Sequence, residues 1–174
     1  MRFSPSSPPA KPRSPVVEPV ATRTARRPVR RVQMTAPRHD WTIASDVNQI
    51  APIVEAVAEL CAAAGFSSRL CRLNVPVALT EALANAIMRG NSNDPNRAVH
   101  VCAMMETEGL VLEITDEGPG FDLDGVRYTP DDADWLERED GRGVFLMRKL
   151  MDQVESCRAT GDYGHTVRLR LRRA

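Results

Sequence analysis

From residue 47 to residue 61, Val47, Ile50, Val54, Val57, Ala58 and Cys61 recur at three- and four-residue intervals. That spacing lays side chains along one face of an α-helix. The preceding "HDWTIASD" alternates weakly, as an edge strand does, and ends in Ser45 or Asp46, either of which can cap the helix. Gly65 in "AAAGFSS" is its expected stop. In "LNVPVALTEALANAIMRGN", Leu79, Leu83, Ala86 and Ile87 share a face, which predicts a second helix to about residue 89, ended by Gly90 and Asn91. Pro76 suits its first turn, while Leu70 and Leu73 leave its start open.

The period then changes from helical to alternating. In "AVHVCAMMETEGLVLEITDEG", Val99, Val101, Ala103 and Met105 alternate, Glu108 and Gly109 turn the chain, and Leu110, Leu112 and Ile114 alternate again, as in a hairpin. Residues 121–140 lose all pattern, with eight acidic residues and Pro130, and read as a long loop. A helix is predicted over 143–152, and "GHTVRLRLRR" closes the chain as a strand with Val167, Leu169 and Leu171 inward and arginines outward. The order β-α-α-β-β-loop-α-β predicts an α+β fold. It is a two-layer α/β sandwich in which a mixed, mostly antiparallel sheet carries helices on one face.

Composition changes this picture at one end. The 174 residues have zero formal charge, yet residues 1–38 hold nine Lys or Arg against one acidic residue, and eight of the 13 prolines. Such a stretch cannot build a core, so residues 1–38 are expected to be a disordered basic leader and residues 39–174 the folded domain. The folded part is left with 14 basic against 22 acidic residues. The Arg26, Arg27, Arg30 and Arg31 cluster has no aromatic or apolar face beside it, so direct nucleic-acid or membrane binding is not expected. Met34, just ahead of the folded pattern, is an alternative start. With no long apolar run and no secretory signal pattern, the expected location is the cytoplasm. Cys61, Cys71, Cys102 and Cys157 lack metal spacing and mostly occupy apolar patterns, which predicts reduced core thiols.

Three stretches carry polar groups that the pattern does not require. Glu81 and Asn85 in "TEALANAI" lie four apart and so project from one helix face. A carboxylate beside an amide oxygen suits a base next to a hard cation, though the pair alone also describes a solvated polar stripe. In "ITDEGPGFD" a strand ends at Asp116, a potential acceptor for an exocyclic amine, and Gly118 and Gly120 allow close backbone approach. Gly141, Arg142 and Gly143 precede a helix, whose free amides attract anions.

Taken together and in this order, the three stretches resemble the nucleotide-binding boxes of the GHKL ATPase and kinase superfamily, which has the Bergerat ATP-binding fold. The nearest likeness is to the anti-sigma factor serine/threonine kinases. "TEALANAI" with "RGN" resembles the N box, "DEGPGF" the first glycine box, "GRGVFLMRKLMD" the second, and "GHTVRLRL" the final strand. The resemblance spans about residues 40–174. It implies that Glu81 deprotonates the attacking hydroxyl and that Asn85 holds Mg2+ on the ATP phosphates. It implies further that Asp116 recognises adenine, with Gly118 and Gly120 giving the base room. Gly141, Arg142, Gly143 and Val144 would face the phosphates under a lid at 121–140, and Thr166 would lie near adenine. Arg89 departs from the histidine usual in the N box.

The function so implied is that of an ATP-binding anti-sigma regulatory factor. It would phosphorylate serine on an anti-anti-sigma (STAS-type) partner and sequester a sigma factor, possible homodimer formation included. Two alternatives stay open on the sequence: a non-catalytic ATP-dependent interaction module, and a stand-alone ATPase domain of a two-component-type regulator.

Overall fold

The computed structural model describes residues 36–119, 123, 125, 141–158 and 164–173. Residues 1–35 of the basic leader, with Met34, as well as Gly120 and nearly all of the acidic 121–140 segment, lie outside the described residues, whereas Arg38, the last residue assigned to the leader, opens the first strand.

Five strands form one sheet: β1 (Arg38–Ala44), β2 (Ala98–Met105), β3 (Gly109–Asp116), β4 (Gln153–Arg158) and β5 (His165–Arg172), in the order β1-β2-β3-β5-β4. Each pairing is antiparallel. Where a mixed sheet was expected, the described strands therefore include no parallel pair. The three α-helices are α1 (Ile50–Ala63), α2 (Val75–Asn85) and α3 (Arg142–Leu150).

Alternation sorts the sheet into two faces. Val99, Val101 and Ala103 of β2, Leu110, Leu112 and Ile114 of β3, and Val167, Leu169 and Leu171 of β5 are buried in one core with Ile53, Val57 and Cys61 of α1 and Leu79 and Leu83 of α2. Burying a leucine of this kind contributes about 1.5–3 kcal/mol. The other face is polar. There Arg168 bridges Glu113, its direct cross-strand partner, at 2.7 Å, and the hydroxyls of Thr115 and Thr166 meet at 2.8 Å. Partly buried pairs of this sort each contribute no more than about 1 kcal/mol.

The punctuation follows local chemistry. The Asp46 side chain accepts from the Asn48 N–H at 2.9 Å and caps a short 3-10 turn, Val47–Gln49, ahead of α1. Val47 itself is half exposed there, so the buried stripe of α1 is Ile53, Val57 and Cys61 rather than one that starts at Val47. Gly65, at φ +78°, ends α1: its N–H reaches the Ala62 carbonyl and the Phe66 N–H reaches that of Cys61. These two bonds are the Schellman pattern.

The open start of the second helix is resolved by a π-helical turn, Leu70–Asn74, that leads into α2, with Pro76 in the first turn of α2 as expected. A second π turn, Ala86–Gly90, follows α2, and the Asn91 N–H closes it onto the Ala86 carbonyl at 2.8 Å. The chain then reverses through Ser92 and Asn93, both left-handed.

Two boundaries shift. The hairpin turns at Thr107 and Glu108, closed by Glu106 and Gly109 at 2.8 and 3.3 Å, so Gly109 already belongs to β3. The last helix stops at Leu150, and residues 153–158 form β4, an edge strand with a single apolar residue, Val154, against the core.

Candidate functional site

The site is organised along one helical rail, α2 and the π turn that continues it. Glu81 and Asn85 sit one turn apart on that rail, as their spacing predicted. At the Glu81 end, α3 packs across: a methyl group placed on Gly143 would collide with Glu81 Oε2, so the backbone of α3 lies directly against the carboxylate. Gly141 opens α3 at φ +91°, a left-handed conformation, and has no side chain with which to cap the helix. The N–H groups of the first turn therefore have no intrahelical acceptor and carry the positive end of the helix dipole. Arg142 is exposed at this position. The Val144 side chain is buried in the core, so only its amide is left to serve a ligand.

The other end of the rail meets the sheet. Asp116, the last residue of β3, is 2% exposed. Gly90 lies against it so closely that a methyl group there would strike the carboxyl, and Gly118 lies as closely against the Gly90 carbonyl. Asp116 Oδ1 accepts from the Gly118 N–H at 3.0 Å. Burial pushes the Asp116 carboxyl above its ordinary range, opposed by the Gly118 amide and by the charges of His165 and Arg97. Nine residues of rail separate Glu81 from Gly90, about 13 Å at the rise of an α-helix. That is the length scale between the base and the terminal phosphate of a nucleoside triphosphate.

Asn91, read from the sequence only as a helix stop, holds the Asp116 end of the rail together. It is fully buried; its Nδ2 donates to the Ala98 carbonyl and its Oδ1 accepts from the Glu117 N–H, each at 2.9 Å. One side chain thus ties the end of the rail to the start of β2 and to the turn after β3. A buried asparagine in a turn-rich stretch leaves no distinctive mark in the sequence.

The remaining predicted residues divide. Asn85 carries a buried amide nitrogen with no hydrogen-bond partner among the described residues. A phosphate oxygen would satisfy that nitrogen, and the amide oxygen on the same carbon is a ligand for a hard cation. Gly120 lies outside the described residues. Thr166 lines a cavity together with Asp116, but its hydroxyl bonds Thr115 on the polar face, away from the helices. The residue beside Asp116 is His165, its direct partner across β3 and β5, with Nδ1 3.9 Å from Asp116 Oδ2. From the 121–140 segment, Leu123 is fully buried and its carbonyl accepts from Arg148 at 3.0 Å.

The chain is similar to known proteins in sequence and in fold. The family model described as histidine kinase-like ATPase domain matches residues 43–171. An anti-sigma F factor of Bacillus cytotoxicus is 30% identical over 132 residues, 74% of this chain and 77% of that protein. The serine-protein kinase RsbW of Bacillus subtilis is 31% identical over 86 residues, and the match spans only about half of that protein, 54%. Among solved structures, the RsbU and RsbW domains of a Mycobacterium tuberculosis protein share the fold, with a TM-score of 0.55 at 16% identity over 78% of this chain and 32% of that one.

Proposed function

We propose that this chain, which belongs to the histidine kinase-like ATPase domain family, is an ATP-dependent protein serine kinase that regulates a sigma factor. Its substrate is a serine on an anti-anti-sigma partner of the STAS type, and it also sequesters the sigma factor. The observation that carries this reading is the single rail with a carboxylate and free helix amides at one end and a buried aspartate at the other. The names of the relatives, anti-sigma F factor and serine-protein kinase, support the same reading.

In this mechanism ATP lies along the rail. Its adenine amine donates to Asp116, whose carboxyl is set at the end of the rail by the close packing of Gly90 and Gly118. Its phosphates meet the first-turn amides of α3, with Arg142 adding positive charge and the Asn85 amide facing them. The serine hydroxyl oxygen of the partner attacks the γ-phosphorus, the bond to the bridging oxygen breaks, and ADP leaves. The serine proton passes to Glu81. Mg2+, when bound, neutralises charge on the phosphates. Among the described residues no cluster of three His, Cys, Asp or Glu could cage a metal. Asn85 is the protein ligand the site offers, as suits an ion held chiefly by phosphates and water. Phosphoryl transfer asks for positioning and charge neutralisation more than for covalent chemistry, so this set of residues suffices.

The test is incubation of the chain with ATP, Mg2+ and purified STAS-type antagonists, read by mass spectrometry for phosphoserine. One antagonist is expected to gain a single phosphate. ATP binding without phosphate on any antagonist would instead select a non-catalytic ATP-dependent interaction module.

A further inference from the structure

We propose that His165 is a second recognition residue at the base end of the site, a positioning partner that holds Asp116 in place to receive an exocyclic amine. The inference rests on the ATP-binding reading above and assigns a role to a residue that the sequence comparison of the final strand passed over in favour of Thr166.

Three observations lead to it. His165 and Asp116 are direct Cα partners across β3 and β5, so strand alternation directs both toward the helices while their neighbours, Thr166 and Thr115, point to the polar face. Both side chains are buried, Asp116 at 2% and His165 at 7% exposure, and Nδ1 stands 3.9 Å from Oδ2. Gly90 and Gly118 pack so closely here that neither position could carry a side chain, and the Arg97 guanidinium lies beside Gly118.

The division of labour follows from the two carboxylate oxygens. Oδ1 is held by the Gly118 N–H, while Oδ2 faces the imidazole. A buried carboxylate without a partner is costly, and it is the stronger acceptor in its ionised form, with no proton of its own to place. The imidazole packs against Oδ2 and its charge favours the ionised form, with Arg97 contributing from the segment before β2. Each oxygen retains lone-pair capacity, so an incoming adenine amine finds an acceptor already oriented. A 6-oxo purine presents a carbonyl there and gains nothing from it.

The experiment compares binding of ATP and of inosine triphosphate, which lacks the exocyclic amine, to the full chain by calorimetry. The wild type is expected to prefer ATP. His165→Ala should weaken ATP binding about tenfold and inosine triphosphate by less than about twofold, so that the preference collapses; a buried contact with a charged group has this order of worth. His165→Asn, whose Nδ2 overlays Nδ1, should keep most of the preference. His165→Leu, which matches bulk without a nitrogen, should lose it, and this pair carries the comparison should the alanine variant not fold. Equal losses for both nucleotides, or Asn and Leu variants that behave alike, overturn the role. A wild type that binds neither nucleotide overturns the kinase reading and this inference with it. A wild type that prefers ATP and an unchanged His165→Ala overturn the inference alone.

Discussion

On the proposed mechanism, recognition and stability oppose each other at Asp116. Burial raises its carboxyl above the ordinary value of 3.8, so the folded chain holds that proton more tightly than the unfolded chain does. Stability is therefore lost as pH rises from about 3.8 through the folded value, and the loss is complete above it. Asp116→Asn removes this cost while keeping an acceptor for the Gly118 N–H. The variant is expected to melt above wild type at pH 7 and close to it near pH 3.5, while ATP affinity falls about 10- to 100-fold. A melting temperature below wild type at pH 7 would contradict this account of the site. The cysteines give a second residue-scale prediction. Cys61, Cys71 and Cys102 are buried, and burial pushes the Cys61 thiol up to about 12 and that of Cys102 to about 11, whereas Cys157 is exposed. Iodoacetamide at pH 8 should label one thiol in the native chain, mapped to Cys157 by digestion; rapid labelling of a second would count against the packing. His165 marks the limit of reading at this scale. The sequence contains the strand and its alternation, but which neighbour faces the site depends on register with β3, some fifty residues away. A shift of one residue exchanges the two faces.

Elements were legible wherever one face is strongly apolar. The three central strands alternate cleanly, and the stop at Gly65 follows from its backbone freedom. β4 left little trace because an edge strand with only Val154 against the core has almost no period to detect. The π turns around α2 are invisible for another reason: a widened turn alters hydrogen-bond partners, not residue types. The second of them matters most, because it carries Gly90 to Asp116. π turns of this sort often occur at functional sites. The contact of α3 with the rail gives a prediction that separates function from stability. Gly143→Ala adds a methyl group against Glu81, and in the first turn of a helix alanine is about 1 kcal/mol more favourable than glycine. Phosphate transfer should fall at least tenfold with a melting temperature no more than a few degrees below wild type. Unchanged transfer would show that α3 does not confine the carboxylate. Gly65→Ala should do the reverse: its left-handed backbone costs alanine about 1 kcal/mol, with open space around it and no effect on transfer.

Across the whole domain, covering only one face of the sheet with helices sets where chemistry can occur. The polar face is occupied by pairs such as Arg168 with Glu113, while the helix-facing side ends in Asp116 and His165, beside the rail that leads to Glu81. Among the described residues no helix is long and apolar enough to cross a membrane. Each box taken singly was ambiguous, since a carboxylate four residues from an asparagine, an acidic turn and a glycine pair are all common. Their order carried the resemblance, and the fold brings them together: the first glycine box packs against Gly90 and the second against Glu81, both on the rail that the N box forms. The direct measurement is the rate of γ-phosphate transfer from ATP to the antagonist serine by Glu81→Gln, taken beside its ATP dissociation constant. The account predicts a rate lowered about 10²- to 10⁴-fold with ATP affinity within about threefold of wild type, because Glu81 acts on the hydroxyl and Asp116 holds the base. A variant that transfers phosphate at the wild-type rate would contradict it.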